Sequence, residues 1–218
     1  MNALRMLVLA VLVLVIWVVF STDQKPDRSE SEWPVVEPPR VEQPEGVEAV
    51  KAPRIAKNAL QPVEIGRIAP LHKFGEIYLA GQPVPEALPV LKQQGFNTIL
   101  TLRKSDEVSW DEQAATEEQG MQFVQVAFQG VGELTPEVFD KVLEVLRDET
   151  RQPLLFHCGS ANRVGAIWYA FRVLDDKLSH EEALAEAKAA GLRTEGYVEK
   201  AREYVLAVQL LAVNETQP

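Results

Sequence analysis

From about residue 64 onward, short apolar runs of strand composition alternate with helical apolar patterns, which predicts an α/β domain with a short, largely parallel central sheet flanked by helices. Two observations weigh most. Residues 98–102 (Thr-Ile-Leu-Thr-Leu) and 153–156 (Pro-Leu-Leu-Phe) are continuous apolar runs, as strands covered on both faces require. Behind Thr135-Pro136, the residues Val138, Phe139, Val142, Leu143, Val145 and Leu146 form one helical face that needs a sheet to pack on.

The remaining elements follow in order. Ile77-Tyr78-Leu79 reads as a first strand, and Gly81-Gln82-Pro83 as a turn. Residues 85–94 have helical spacing interrupted by Pro89, and Gly95 stops them. The 98–102 strand ends at Arg103. A helix over 111–118 stops at Gly120, and 121–127 is the next strand. Residues 164–174 are apolar around most of a helical circumference, so that helix is expected to be central and buried. Ser179 with Glu182 is a capping box for a helix that Gly191 can end, and Tyr197, Val198, Ala201, Tyr204, Val205, Val208 and Leu211 define a last amphipathic helix.

The chain has 218 residues and a formal net charge of -10, so a nonspecific nucleic-acid partner is not expected. Residues 6–20 are unbroken apolar sequence, with Arg5 the one charge before them. We read 1–22 as a membrane anchor with its short N-terminal end cytoplasmic and the domain extracytoplasmic; a cleaved signal peptide is the alternative. Residues 23–63 hold seven of the 14 prolines amid Glu and Asp, the composition of an extended, disordered linker. The catalytic-sized domain is expected over 64–213, with 214–218 as a tail. No paired His or acidic ligand spacing suggests a metal, and no cofactor is called for.

The chemistry concentrates at the single cysteine. The buried strand 153–156 runs into His157-Cys158-Gly159-Ser160-Ala161-Asn162-Arg163 and then into the buried helix. A small-residue loop between strand and helix turns several backbone N–H groups toward one point, where the helix dipole also favours negative charge. That field suits an oxyanion and favours the thiolate of Cys158, making it a nucleophile. Arg163 adds a planar fork suited to two phosphate oxygens. His157 is expected to order the loop. Arg103, at the end of a neighbouring strand, reads equally well as a second anion contact or as a structural ion pair.

His157-Cys158 with Arg163 resembles the signature loop of cysteine-dependent protein phosphatases. With the Ala80-Gly81-Gln82-Pro83 turn, the strand ending Leu102-Arg103, and the run Asn162-Arg163-Val164-Gly165-Ala166-Ile167-Trp168, the closer resemblance is to the bacterial beta-lactamase-hydrolase-like phosphatase family. These are small dual-specificity-phosphatase-like domains, also described as sulfur transferases. The resemblance covers roughly residues 68–192. It implies a protein-tyrosine-phosphatase-like fold and a phosphatase acting on a phosphoprotein or small phosphate ester. It further implies that Cys158 forms a phosphocysteine while Gly159, Ser160, Ala161, Asn162 and Arg163 cradle the oxygens.

Three departures keep alternatives open. Four residues separate Cys158 from Arg163, one fewer than in typical tyrosine phosphatases. Position 164 is Val where a hydroxyl is common. The usual general-acid aspartate is missing, leaving Glu133, and Asp106 or Asp111 after Arg103, as candidates. A rhodanese-like sulfurtransferase carrying a persulfide on Cys158, with a sulfane-sulfur substrate, needs no such acid. A non-catalytic anion-binding module is the third reading.

Overall fold

The computed structural model describes residues 59–215. The apolar segment 1–22 and almost all of the linker lie outside them, as does the end of the tail. Among the described residues, no helix is long and apolar enough to cross a membrane.

Six strands form one sheet in the order β1-β2-β3-β6-β4-β5. They are β1 (Gln61–Pro62), β2 (Leu71–Phe74), β3 (Ile77–Ala80), β4 (Thr98–Thr101), β5 (Gln122–Gln125) and β6 (Leu154–His157). The four strands β3, β6, β4 and β5 run parallel, as expected. The sheet as a whole is mixed, because β1 and β2 pair antiparallel at one edge. This corrects the largely parallel sheet. The missed hairpin turns on Gly75 and Glu76, with φ +55° at the first of them. A two-residue hairpin loop takes glycine there, but Leu-His-Lys-Phe beside it lacks the alternation that marks a strand. Pro62 pairs with His72, so the sheet begins inside the stretch whose prolines read as linker.

Helices α1 (Ala87–Gln93), α2 (Glu112–Glu118), α3 (Pro136–Arg147), α4 (Asn162–Leu174), α5 (His180–Ala190) and α6 (Glu195–Glu215) complete the fold. Pro89 does not kink α1, because it falls in the first turn, where its missing N–H has no intrahelical acceptor to lose. Ser179 and Glu182 form the expected capping box, and Gly191, at φ +136°, ends α5.

Alternate residues of each strand feed two cores. Ile77, Leu79, Leu100, Leu154 and Phe156 face α3 to α6, while Tyr78, Ala80, Ile99 and Leu155 face α1. The helix α4 is buried on nearly every side, as its all-round apolar sequence requires. Its fully buried charge is Arg172, 3% exposed, which lies 4.2 Å from the Phe74 ring centroid and is neutralised by Glu186 and Asp176.

The helices α4 and α5 approach so closely that a Cβ on Gly165 would stand 2.7 Å from the Leu192 Cβ and 2.9 Å from the Ala187 carbonyl. We predict that Gly165→Ala destabilises the domain by roughly 1–3 kcal/mol, since both obstacles are on or next to backbone and cannot swing aside. A denaturant midpoint equal to that of the unaltered protein would overturn this packing argument.

Candidate functional site

The candidate site sits where β6, in mid-sheet between β3 and β4, meets α4. Parallel strands flanking β6 bring the loops after β3 and β4 to the same edge as Cys158, the place where open α/β sheets bind ligands. Cys158 is buried at the strand end and unpaired. The chain then reverses through Ala161, the residue before the helix, which is left-handed at φ +59°. A left-handed residue beside right-handed ones curls successive N–H groups inward to form an anion cradle. Asn162, Arg163 and Val164 open α4, so their amides have no acceptor within the helix, and Gly165 is the first to bond back, to the Ala161 carbonyl at 2.9 Å.

The loop is clamped on both sides. The Cys158 N–H donates to the Ala80 carbonyl (3.4 Å), the Gln82 N–H donates to the Gly159 carbonyl (3.3 Å), and Gly81 bridges Ser160. Gly81 is obligatory, because a Cβ there would lie 2.2 Å from the Ala69 carbonyl oxygen. On the other side, the Asn162 Oδ1 accepts from the backbone N–H groups of Arg193 (2.8 Å) and Thr194 (3.2 Å), and its Nδ2 donates to the Thr194 hydroxyl (2.8 Å).

Arg163 extends from α4 to a set of acceptors in the loops after β4 and β5. Its Nη1 donates to the carbonyls of Leu102 (3.0 Å) and Phe128 (2.7 Å) and to Glu107 (2.9 Å), and its Nη2 donates to the other Glu107 oxygen at 2.8 Å. Burial opposes the guanidinium charge, but the Glu107 hydrogen bonds and the nearby Cys158 and Glu107 charges hold its pKa above the ordinary arginine value. Reciprocally, the hydrogen bond from Arg163 holds Glu107 below the usual carboxylate range. Tyr197 packs edge-on against Phe128 in the same corner, and burial raises the pKa of its phenol.

Behind the loop lies a polar chain. Arg103 donates to the Gln82 Oε1 (2.6 Å) and to the Glu107 carbonyl, and the Gln82 Nε2 donates to Glu112 (2.6 Å). Glu112, 5% exposed, reaches within 3.2 Å of Nε2 of the fully buried His157, although out of line for a hydrogen bond. The other ring nitrogen of His157 lies 3.4 Å from the Cys158 carbonyl. Arg103 therefore has a structural partnership with Gln82 and Glu107 whatever else it binds.

The acid candidates Asp106, Asp111 and Glu133 are all exposed, and Asp111 caps α2 by accepting from the Ala114 N–H (2.9 Å). Both Glu133 oxygens are engaged, by the Lys104 Nζ (2.9 Å) and the Gln129 N–H (2.7 Å), and those bonds hold its pKa below the usual range, so it stays ionised where a proton donor is needed. Asp106 is exposed in the 3-10 turn Ser105–Glu107, with no side-chain partner among the described residues. Glu107 and Glu112, with Gln82, are what sequence reasoning missed. The one signal was that Glu107 stands four residues beyond Arg103.

Removing the carboxylate in Glu107→Gln leaves a buried guanidinium without its counter-charge, and we predict a loss of stability at neutral pH. Because the folded pKa of Glu107 is depressed, its contribution is complete above the ordinary Glu value of about 4.3 and is lost as pH falls through the depressed folded value. The stability gap between the two proteins should accordingly close in acid. A gap constant from neutral to acidic pH, measured by urea denaturation, would rule the ion pair out as its source.

Residues 65–203 match the family described as DSP-PTPase phosphatase fused to NAD+ kinase. No curated protein matches the sequence. Among solved structures, TpbA of P. aeruginosa is similar with a TM-score of 0.56 and 20% identity, over 70% of this chain and 91% of that one. The core catalytic domain of the PP-IP phosphatase SIW14 from S. cerevisiae matches with a TM-score of 0.54 and 20% identity, over 73% and 98%. Tk-PTP in its active form matches with a TM-score of 0.51 and 19% identity, over 60% and 92%. At these identities the structural likeness is one of fold, an α/β tyrosine-phosphatase-like sheet between helices. The extent of the sequence match decides the family: this chain belongs to the DSP-PTPase phosphatases of the PTP-NADK family.

Proposed function

We propose that the chain is a cysteine-dependent phosphatase in which the Cys158 thiolate attacks phosphorus, the leaving oxygen departs, and water then cleaves the phosphocysteine to release inorganic phosphate. The observation that carries this reading is the joining of Cys158 and Arg163 through one short loop with a left-handed Ala161, ahead of the opening amides of α4 that have no acceptor within the helix. In this reading Arg163 and the loop amides stabilise the equatorial oxygens as charge shifts onto them, from positions already fixed by Glu107 and the two carbonyls.

The substrate class in the same proposal is a phosphoprotein or small phosphate ester with a good leaving group, aryl phosphates first. Support comes from the acids: Glu133 is held ionised and Asp106 is exposed and unengaged, so leaving groups that depart without a proton are favoured. Presentation of the domain outside the cytoplasm by residues 1–22 belongs to the proposal too. It rests on the apolar run 6–20 and is tested by protease accessibility in intact cells.

The fragment from residue 59 onward, incubated with an aryl phosphate, should release phosphate. Cys158→Ser should abolish the activity, and Arg163→Ala should lower kcat/KM by roughly a hundredfold or more. A parallel incubation with thiosulfate and a thiol acceptor provides the contrary outcome. Persulfide on Cys158, with no phosphate release in the first arm, would replace phosphoryl transfer by sulfur transfer.

A further inference from the structure

Arg193 is an exposed residue in the turn between α5 and α6, and its guanidinium is bonded back onto the loop after Cys158. Nη2 donates to the Ser160 hydroxyl at 2.6 Å, and Nη1 lies within donating distance of the carbonyls of Ser160 (3.4 Å) and Gly191 (3.2 Å). Its own backbone N–H is fixed by Asn162. The turn is pressed onto the loop: a Cβ on Gly191 would come within 3.0 Å of both the Ala161 Cβ and the Ser160 carbonyl. Arg193 is thus held against the second residue after the nucleophile.

Its partners are all neutral. Among the described residues, Arg103, Arg147, Arg151, Arg163 and Arg172 each meet a carboxylate, whereas Arg193, like Arg67 and Arg202, meets none; of these three only Arg193 is bonded to the loop after Cys158. Seating a guanidinium on neutral oxygens fixes its position without cancelling its charge, and the fork prefers dianionic phosphate oxygens. In a chain of net charge -10, this cation without a carboxylate partner is tied to the loop that follows Cys158.

We infer that Arg193 forms a second phosphate subsite, so that the preferred substrate carries another phosphate group next to the scissile one. This rests on the phosphatase reading and sharpens its substrate class. The second group could belong to a vicinal bisphosphate of a small polyol or to a peptide with two neighbouring phosphoresidues. Both present the same chemistry.

The test compares kcat/KM for a vicinal cyclitol bisphosphate and its monophosphate, and for a doubly and a singly phosphorylated peptide. The unaltered enzyme should favour the doubly phosphorylated member of at least one pair by about tenfold, and the pair that shows it identifies the source. Arg193→Gln should bring that ratio close to one, and Arg193→Lys should retain part of it. Damage to the loop would slow both members equally and leave the ratio intact, which would overturn the subsite. Absence of any preference in the unaltered enzyme would also overturn it. If Arg193→Gln is inactive, or no substrate is hydrolysed, calorimetry on Cys158→Ser with and without Arg193→Gln gives the same ratio from pyrophosphate and orthophosphate affinities. Hydrolysis of no phosphate ester would remove the phosphatase reading, while an Arg193-dependent preference for pyrophosphate would keep the anion subsite.

Discussion

A guanidinium brought out of water has to find acceptors for its N–H groups and a counter-charge for itself, and much of this site is arranged to meet that demand for Arg163. The Leu102 carbonyl, the Phe128 carbonyl and both oxygens of Glu107 converge on it from the loops after β4 and β5. That requirement ties the helix carrying Arg163 to two neighbouring strand ends. It also keeps the cation in the neighbourhood of Cys158. Removing Glu107 would cost more than a surface ion pair is worth, because the charge left behind is largely buried.

The loop itself is held by backbone contacts more than by side chains. Gly81 allows the turn after β3 to bridge Ser160, and Gly191 allows the turn after α5 to touch Ala161 and Ser160. Between them Ala161 stands in the left-handed conformation, at φ +59°. A loop held this way is fixed in advance, which is what the proposed anion cradle would need of it.

Glu112, His157, Gln82 and Arg103 link the back of the loop to α2 and to the loop after β4. His157 is fully buried there, with one ring nitrogen 3.4 Å from the Cys158 carbonyl. Its neighbour Glu112 opens α2 and is buried together with Thr116 on the same helix face.

The sequence by itself determined the strand-loop-helix unit from residue 154 to 174, the helices with clear caps and apolar faces, and the pairing of Cys158 with Arg163 in one loop. All of these are local: period, capping chemistry and spacing are written in contiguous residues. Only the tertiary structure decided that Leu71–Phe74 forms a strand, since its partner β3 and not its own composition makes it one. Only the structure assigned Glu107 to Arg163 across 56 residues, engaged Glu133 with Lys104, and set Arg193 against Ser160. Charged side chains on loops take whichever partner the packing of distant elements brings within reach, and no periodicity in the chain encodes that choice.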